Sequence, residues 1–300
     1  MSGYGYFLRL LTLSGLILAG LMGTVLFFGA IMLLSGHSIS ELQEMQSMGT
    51  PDLTPSMTRW LLAGQHVLVF ILPALVFGWM LYRKHIWKDF DLNIAPGPRL
   101  AIYGILFLLA AYPLVNLSYM ANQAIPLPDW ATQMESEAAS TLEAIINMPT
   151  PWIFLANLII IGVLPGIGEE LIFRGILQKQ LAGWTKSPVV GIWLAALIFS
   201  AIHLQFEGFL PRLALGATLG YLYYWTGNLW VPIIAHAFNN AAQVVLIYYT
   251  GADPTSIDQQ GVDNFQWWML PLGIGGMILL YFQLRKYRNR HEPEERSPYA

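Results

Sequence analysis

Residues 152–174, WIFLANLIIIGVLPGIGEELIFR, decide the fold. The run from Trp152 to Gly168 carries one polar residue, Asn157, and two adjacent acids and an arginine follow it. A helix needs about 20 predominantly apolar residues to cross the hydrocarbon core of a bilayer, and this stretch meets that length. Seven further stretches read the same way, at 8–34, 60–82, 100–120, 188–204, 209–225, 229–249 and 268–284. The expectation is an all-α polytopic membrane protein, a bundle of about eight transmembrane helices. The first stretch is too long for a signal-peptide core and lacks a small-residue cleavage site, so it reads as a retained helix. Residues 1–149 would hold the first three helices with their outer loops, and 150–250 a core of helices four to seven. Residues 251–300 would hold an outer loop, the last helix and a charged cytoplasmic tail.

Composition agrees. Hydrophobic residues make up 55% of the 300 and charged residues 11%, and mean hydropathy is +0.51. This excludes an ordinary cytosolic enzyme. A net charge of −3 excludes a nucleic-acid binder that works by neutralising phosphates. The chain has no cysteine, so any chemistry must use carboxylates, imidazoles, hydroxyls or amides.

The Lys and Arg residues fix an expected orientation. With both termini cytoplasmic, Arg9, Arg83, Lys84, Lys88, Arg99, Arg174, Lys179, Lys186, Arg285, Lys286, Arg288, Arg290 and Arg296 fall inside. Arg59 and Arg212 fall outside, with acids such as Glu41, Glu44, Asp52, Asp129, Glu135, Glu207, Asp253, Asp258 and Asp263. The loops at 35–59, 121–151 and 250–267 are expected to be short amphipathic or irregular outer segments, and the tail after Lys286 to be disordered. Trp60, Tyr82, Trp230, Trp267 and Trp268 near span ends read as an interfacial belt. Gly216 and Gly220 form a small-xxx-small pair suited to close helix packing, within the chain or in a homodimer.

Ionisable side chains are costly in a bilayer and need a partner, a wet cavity or a function. They cluster in the fourth, fifth and seventh spans. Glu170 and Arg174 stand at i,i+4 and can pair, whereas Glu169 points about 100° away and is left free. A desolvated carboxylate beside a like charge is a setting that makes a useful general base, although a juxtamembrane ion-pair cluster would have the same sequence. Pro165 among Gly162, Gly166 and Gly168 removes one intrahelical hydrogen bond and loosens the helix just before Glu169, as a packing kink or as part of a site. Phe199 and His203 stand one turn apart near the end of the fifth span, and His236 and Asn240 share a face of the seventh. At 1.5 Å per residue Glu169 and His203 lie roughly 21 and 26 Å above the connection at 185–187, and Asn240 and His236 roughly 13–20 Å above the turn near Thr226. The heights permit convergence. His37, His66, His85 and His291 lie in loops or near span ends and show no such pattern.

Three ordered motifs, Glu169-Glu170-Leu171-Ile172-Phe173-Arg174, Phe199 through His203 and His236 through Asn240, resemble those of the CPBP family of intramembrane endopeptidases, which includes CAAX prenyl-protein endopeptidases. The resemblance covers about residues 150–245. It implies peptide-bond hydrolysis at the membrane, with Glu169 activating a water and His203 orienting it. His236 and Asn240 would stabilise the oxyanion, and Glu170, Arg174 and Phe199 would support the site. Its partners would be a membrane-associated protein or peptide substrate and the lipid bilayer, in the inner membrane of a prokaryote, with no nucleic acid. No cofactor is expected. A zinc-dependent version would take Glu169, His203 and His236 as ligands, with water in an open position. Two non-catalytic alternatives stand beside these readings, an immunity or binding protein and a transporter.

Overall fold

The computed structural model describes residues 3–38, 54–252 and 264–291, with side chains through Lys286. The expectations for Glu41, Glu44, Asp52, Asp253, Asp258, Asp263, Arg296 and the rest of the charged tail fall outside the described residues, as do the side chains of Arg288, Arg290 and His291. The described residues form nine helices and no strand. In chain order they are α1 Gly3–Leu34, α2 Pro55–Asp89, α3 Pro98–Gln123, α4 Asp129–Ile146, α5 Pro151–Thr185, α6 Pro188–Ala201, α7 Phe209–Thr226, α8 Trp230–Thr250 and α9 Met269–His291.

Local chemistry sets several of these ends. Before α2, α5 and α6, a Thr or Ser accepts a hydrogen bond from the backbone N–H three residues on. Thr54, Thr150 and Ser187 do this for Met57, Ile153 and Val190, each with proline at the first helical position. Gly227 and Gly251, at φ of 62° and 64°, end α7 and α8 in the left-handed conformation that glycine adopts without strain.

Five helices, α1, α2, α3, α5 and α8, are long and apolar enough to cross a membrane. The other three expected spans are helical too. However, α6 has 14 residues and α7 has 18, shorter than a perpendicular crossing of about 30 Å requires, and α9 carries Arg285, Lys286, Arg288 and Arg290 in its last turns. Leu18, Met22, Val25 and Leu26 of α1 are exposed, the inverted pattern of a lipid-facing surface. The chain is an integral, multi-pass membrane protein.

The structure bears out or refines several expectations. The loop at 121–151 contains the 18-residue amphipathic helix α4, which buries Ala131 and Ile145. Helix α9 continues past Lys286 to His291, so the first residues of the charged tail are helical. Trp230 is packed against the core and its Nε1 donates to the Leu92 carbonyl at 3.0 Å, so it anchors a loop, while Trp60, Trp267 and Trp268 are exposed. Arg59 and Arg212, the two basic residues expected outside, are both engaged within the protein. Arg59 is buried and donates to the Asn157 side chain and the carbonyls of Ile145 and Asn147, capping the end of α4. Arg212 lines a central cavity.

Around that cavity α5 packs against α2 and α8, α6 against α5 and α7, and α3 against α7, α8 and α9. A Cβ on Gly166 would stand 2.8 Å from the Ala237 backbone nitrogen, so α5 and α8 touch backbone to backbone only because this residue has no side chain. Gly216 packs on Ala196 and Phe199, and Gly220 on Gln178 and Ile192, all of the same chain.

Candidate active site

Helix α5 winds irregularly where the site lies. A π-helical turn, Leu158–Val163, precedes Pro165, and a second, Phe173–Gln178, follows the two glutamates and contains Arg174. Proline has no N–H to continue the ladder, and π turns absorb such breaks by inserting a residue. A third, His66–Ile71, lies in α2, where Phe70 and Ile71 pack on Gly168 beside Glu169.

Between the two π turns of α5, Glu169 and Glu170 are buried, as is Arg174. Arg174 Nη1 donates to Glu170 Oε1 at 2.6 Å and Nη2 to the Gly216 carbonyl at 2.6 Å, so the pair ties α5 to α7. The guanidinium lies over the Phe199 ring, 5.1 Å from its centroid. Glu170 Oε1 also receives His236 Nδ1 at 2.8 Å. His236 Nε2 turns toward Glu169, 3.8 Å from its Oε2, beyond hydrogen-bond reach but within ion-pair range. Glu169 is therefore not the isolated carboxylate that helical spacing alone suggests.

His203 stands just beyond α6, in the turn after Ala201. Its Nδ1 lies 2.7 Å from the Phe199 carbonyl, which can only accept, so Nδ1 carries the hydrogen. The rings of Phe199 and His203 meet edge to face at 4.9 Å, and Phe199 and His236 at 6.1 Å, which places Phe199 as a wedge between the two imidazoles. Asn240 Oδ1 accepts from Asn239 Nδ2 at 3.2 Å.

Glu169, His203, His236 and Asn240 all line one cavity of about 670 Å³. Glu170 and Arg174 are buried behind the wall. Spacing did not single out several other residues of this wall. His66 is one, and contrary to its reading as an end residue it lies inside α2 and faces the cavity. Others are Tyr112 of α3, Asn239 of α8, and Arg212, whose guanidinium is held by the Gln205 side chain at 2.8 Å and its carbonyl at 3.0 Å. Asn239, three residues after His236, carried a helical-face signal, whereas His66 and Tyr112 lie in distant apolar helices and carried none.

Among the described residues no three His, Asp or Glu side chains are placed to hold a metal ion. As placed here, Glu169, His203 and His236 do not form such a group, and no step below passes through a metal.

Residues 151–242 match the family model of the Type II CAAX prenyl endopeptidase Rce1-like group. A stretch of 86 residues is 36% identical to the "Uncharacterized protein YpbD" of Bacillus subtilis (strain 168), covering 27% of this chain and 41% of that one. Another of 89 residues is 33% identical to the "Putative membrane peptidase YdiL" of the same organism, covering 30% and 36%. The chain spans about two fifths of the length of the curated relatives it matches. No solved structure matches. The matched segment holds all three ordered motifs, and over residues 151–242 this chain is similar to the Rce1-like CAAX prenyl endopeptidases, as its resemblance to the CPBP family implies.

Proposed function

We propose that the protein is an intramembrane endopeptidase that hydrolyses a peptide bond of a membrane-associated protein or peptide with a water activated by Glu169. The observation that carries this reading is the convergence of Glu169 from α5, His203 from the turn after α6, and His236 and Asn240 from α8 on one cavity, with Glu169 and His236 at 3.8 Å. A cavity of about 670 Å³ has the size of a ligand site and exceeds what a single water needs.

In this mechanism Glu169 takes a proton from water as the oxygen attacks the scissile carbonyl, a role typically worth about 10²–10⁴-fold. His203 accepts from the same water through Nε2, the ring nitrogen left without hydrogen when Nδ1–H binds Phe199. Asn240 hydrogen-bonds the oxyanion through its NH₂, and His236 does so through Nε2 in the doubly protonated ring, since its Nδ1–H is taken by Glu170. Glu169 then returns its proton to the leaving amine, which closes the proton balance. Glu170 and Arg174 hold His236 from behind. The termini would lie in the cytoplasm, as the Lys/Arg asymmetry favours, with the protein in the cytoplasmic membrane of a prokaryote.

The test is hydrolysis by purified, reconstituted protein of internally quenched peptides, with and without an isoprenoid thioether on a cysteine near the C-terminus. Cleavage of one bond in either set supports the reading, and the set cleaved names the substrate class. A transporter would instead show counterflow of an uncleaved solute in liposomes.

A further inference from the structure

We propose that Tyr112 and Asn239 are positioning residues that decide which end of the Asn240 side-chain amide faces the cavity. The inference rests on the hydrolase reading above. The two ends of an Asn amide are nearly identical in shape, and only hydrogen bonding selects between them. For an oxyanion the choice matters, because NH₂ stabilises the developing charge and a carbonyl oxygen turned the same way repels it.

The structure carries a directional chain that makes this choice. Tyr112, on α3, donates its hydroxyl hydrogen to Asn239 Oδ1. Asn239 is buried, and with its oxygen engaged by the phenol its Nδ2 donates to Asn240 Oδ1 at 3.2 Å. Asn240 thus has its oxygen held by the protein and its NH₂ left to serve the cavity, which all three side chains line together with Glu169, His203 and His236. Reversing the amide of Asn239 or of Asn240 alone would set two acceptors or two donors against each other, at a cost comparable to an unmet buried hydrogen bond, and reversing both would require the Tyr112 hydroxyl to accept instead of donate. Tyr112 lies outside residues 151–242, so the orientation of a side chain within the matched segment is set from a helix that the match does not reach.

The experiment uses the full-length protein, reconstituted, with the quenched peptide it cleaves, and compares wild type, Glu169→Gln, Tyr112→Phe, Asn240→Ala and the Tyr112→Phe/Asn240→Ala double variant. Tyr112→Phe should lower kcat about tenfold with KM unchanged, the loss expected for one hydrogen bond of about 1.4 kcal/mol. Asn240→Ala should lower kcat by about 10²–10³, and adding Tyr112→Phe to it should cost nothing more, because Tyr112 acts only through Asn240. If Tyr112→Phe misfolds, Asn239→Asp serves, since its carboxylate cannot donate to Asn240 Oδ1 and kcat should again fall with KM unchanged. An unchanged kcat in the single variant, or losses that multiply in the double variant, would overturn the relay while wild type still outpaces Glu169→Gln. Equal rates for wild type and Glu169→Gln would instead overturn the hydrolase reading, and the relay with it.

Discussion

Glu170 Oε1 receives both His236 Nδ1, at 2.8 Å, and Arg174 Nη1, at 2.6 Å. One carboxylate oxygen thus joins α5 to α8 and, through Arg174 and the Gly216 carbonyl, to α7. Removing it takes the charge partner from a buried guanidinium. Glu170→Ala should therefore cost about 3–5 kcal/mol of stability, besides activity, whereas Glu170→Gln, which keeps an acceptor oxygen, should cost less. Unfolding of the purified variants in detergent measures the difference, and equal melting temperatures for the two would contradict it.

The backbone contact of Gly166 with Ala237 sets the separation of the helices that carry Glu169 and His236. Gly166→Ala should push them apart, with an overpacking cost of about 1–3 kcal/mol and a lower kcat. Gly15→Ala, where an added Cβ would meet nothing within 4 Å, is the matched control and should be neutral or stabilising. Melting temperature and kcat, measured side by side, report both effects.

Helix α4 contributes Ala138, Thr141 and Leu142 to the cavity wall and is held at its end by Arg59 and Asn157. Arg59→Met keeps the apolar stem and removes the hydrogen bonds to Ile145 and Asn147. Amide exchange should then speed up over residues 140–150 with α5 and α8 little changed. Unaltered exchange there would show that the tether does not hold the helix.

The donor geometry gives a prediction about metals. Treatment with a strong zinc chelator, followed by its removal, should leave kcat of the reconstituted protein unchanged. Loss of activity that added zinc restores would place the metal in the reaction and displace the metal-free mechanism.

Helical spacing was enough to pair Glu170 with Arg174 and to put His236 and Asn240 on one face, because i,i+4 neighbours meet on any helix. Other features lay beyond a regular 3.6-residue period. The π turns at Leu158–Val163 and Phe173–Gln178 shift the register of α5, and the packing of α8 brings His236 against Glu169. His66 and Tyr112 face the cavity only because α2 and α3 pack around the 151–242 segment, a tertiary fact with no local signature. Arg59 looked like an exception to the charge asymmetry until its buried carbonyl partners explained it.

The central claim is that the Glu169 carboxylate makes the nucleophile. The most direct measurement is the single-turnover rate of peptide cleavage by purified Glu169→Gln, reconstituted beside wild type. The substitution keeps the size and much of the hydrogen bonding of the side chain and removes its capacity to take a proton. The account predicts insertion and melting like wild type with cleavage lowered at least 10²-fold. Cleavage by Glu169→Gln at the wild-type rate would contradict it.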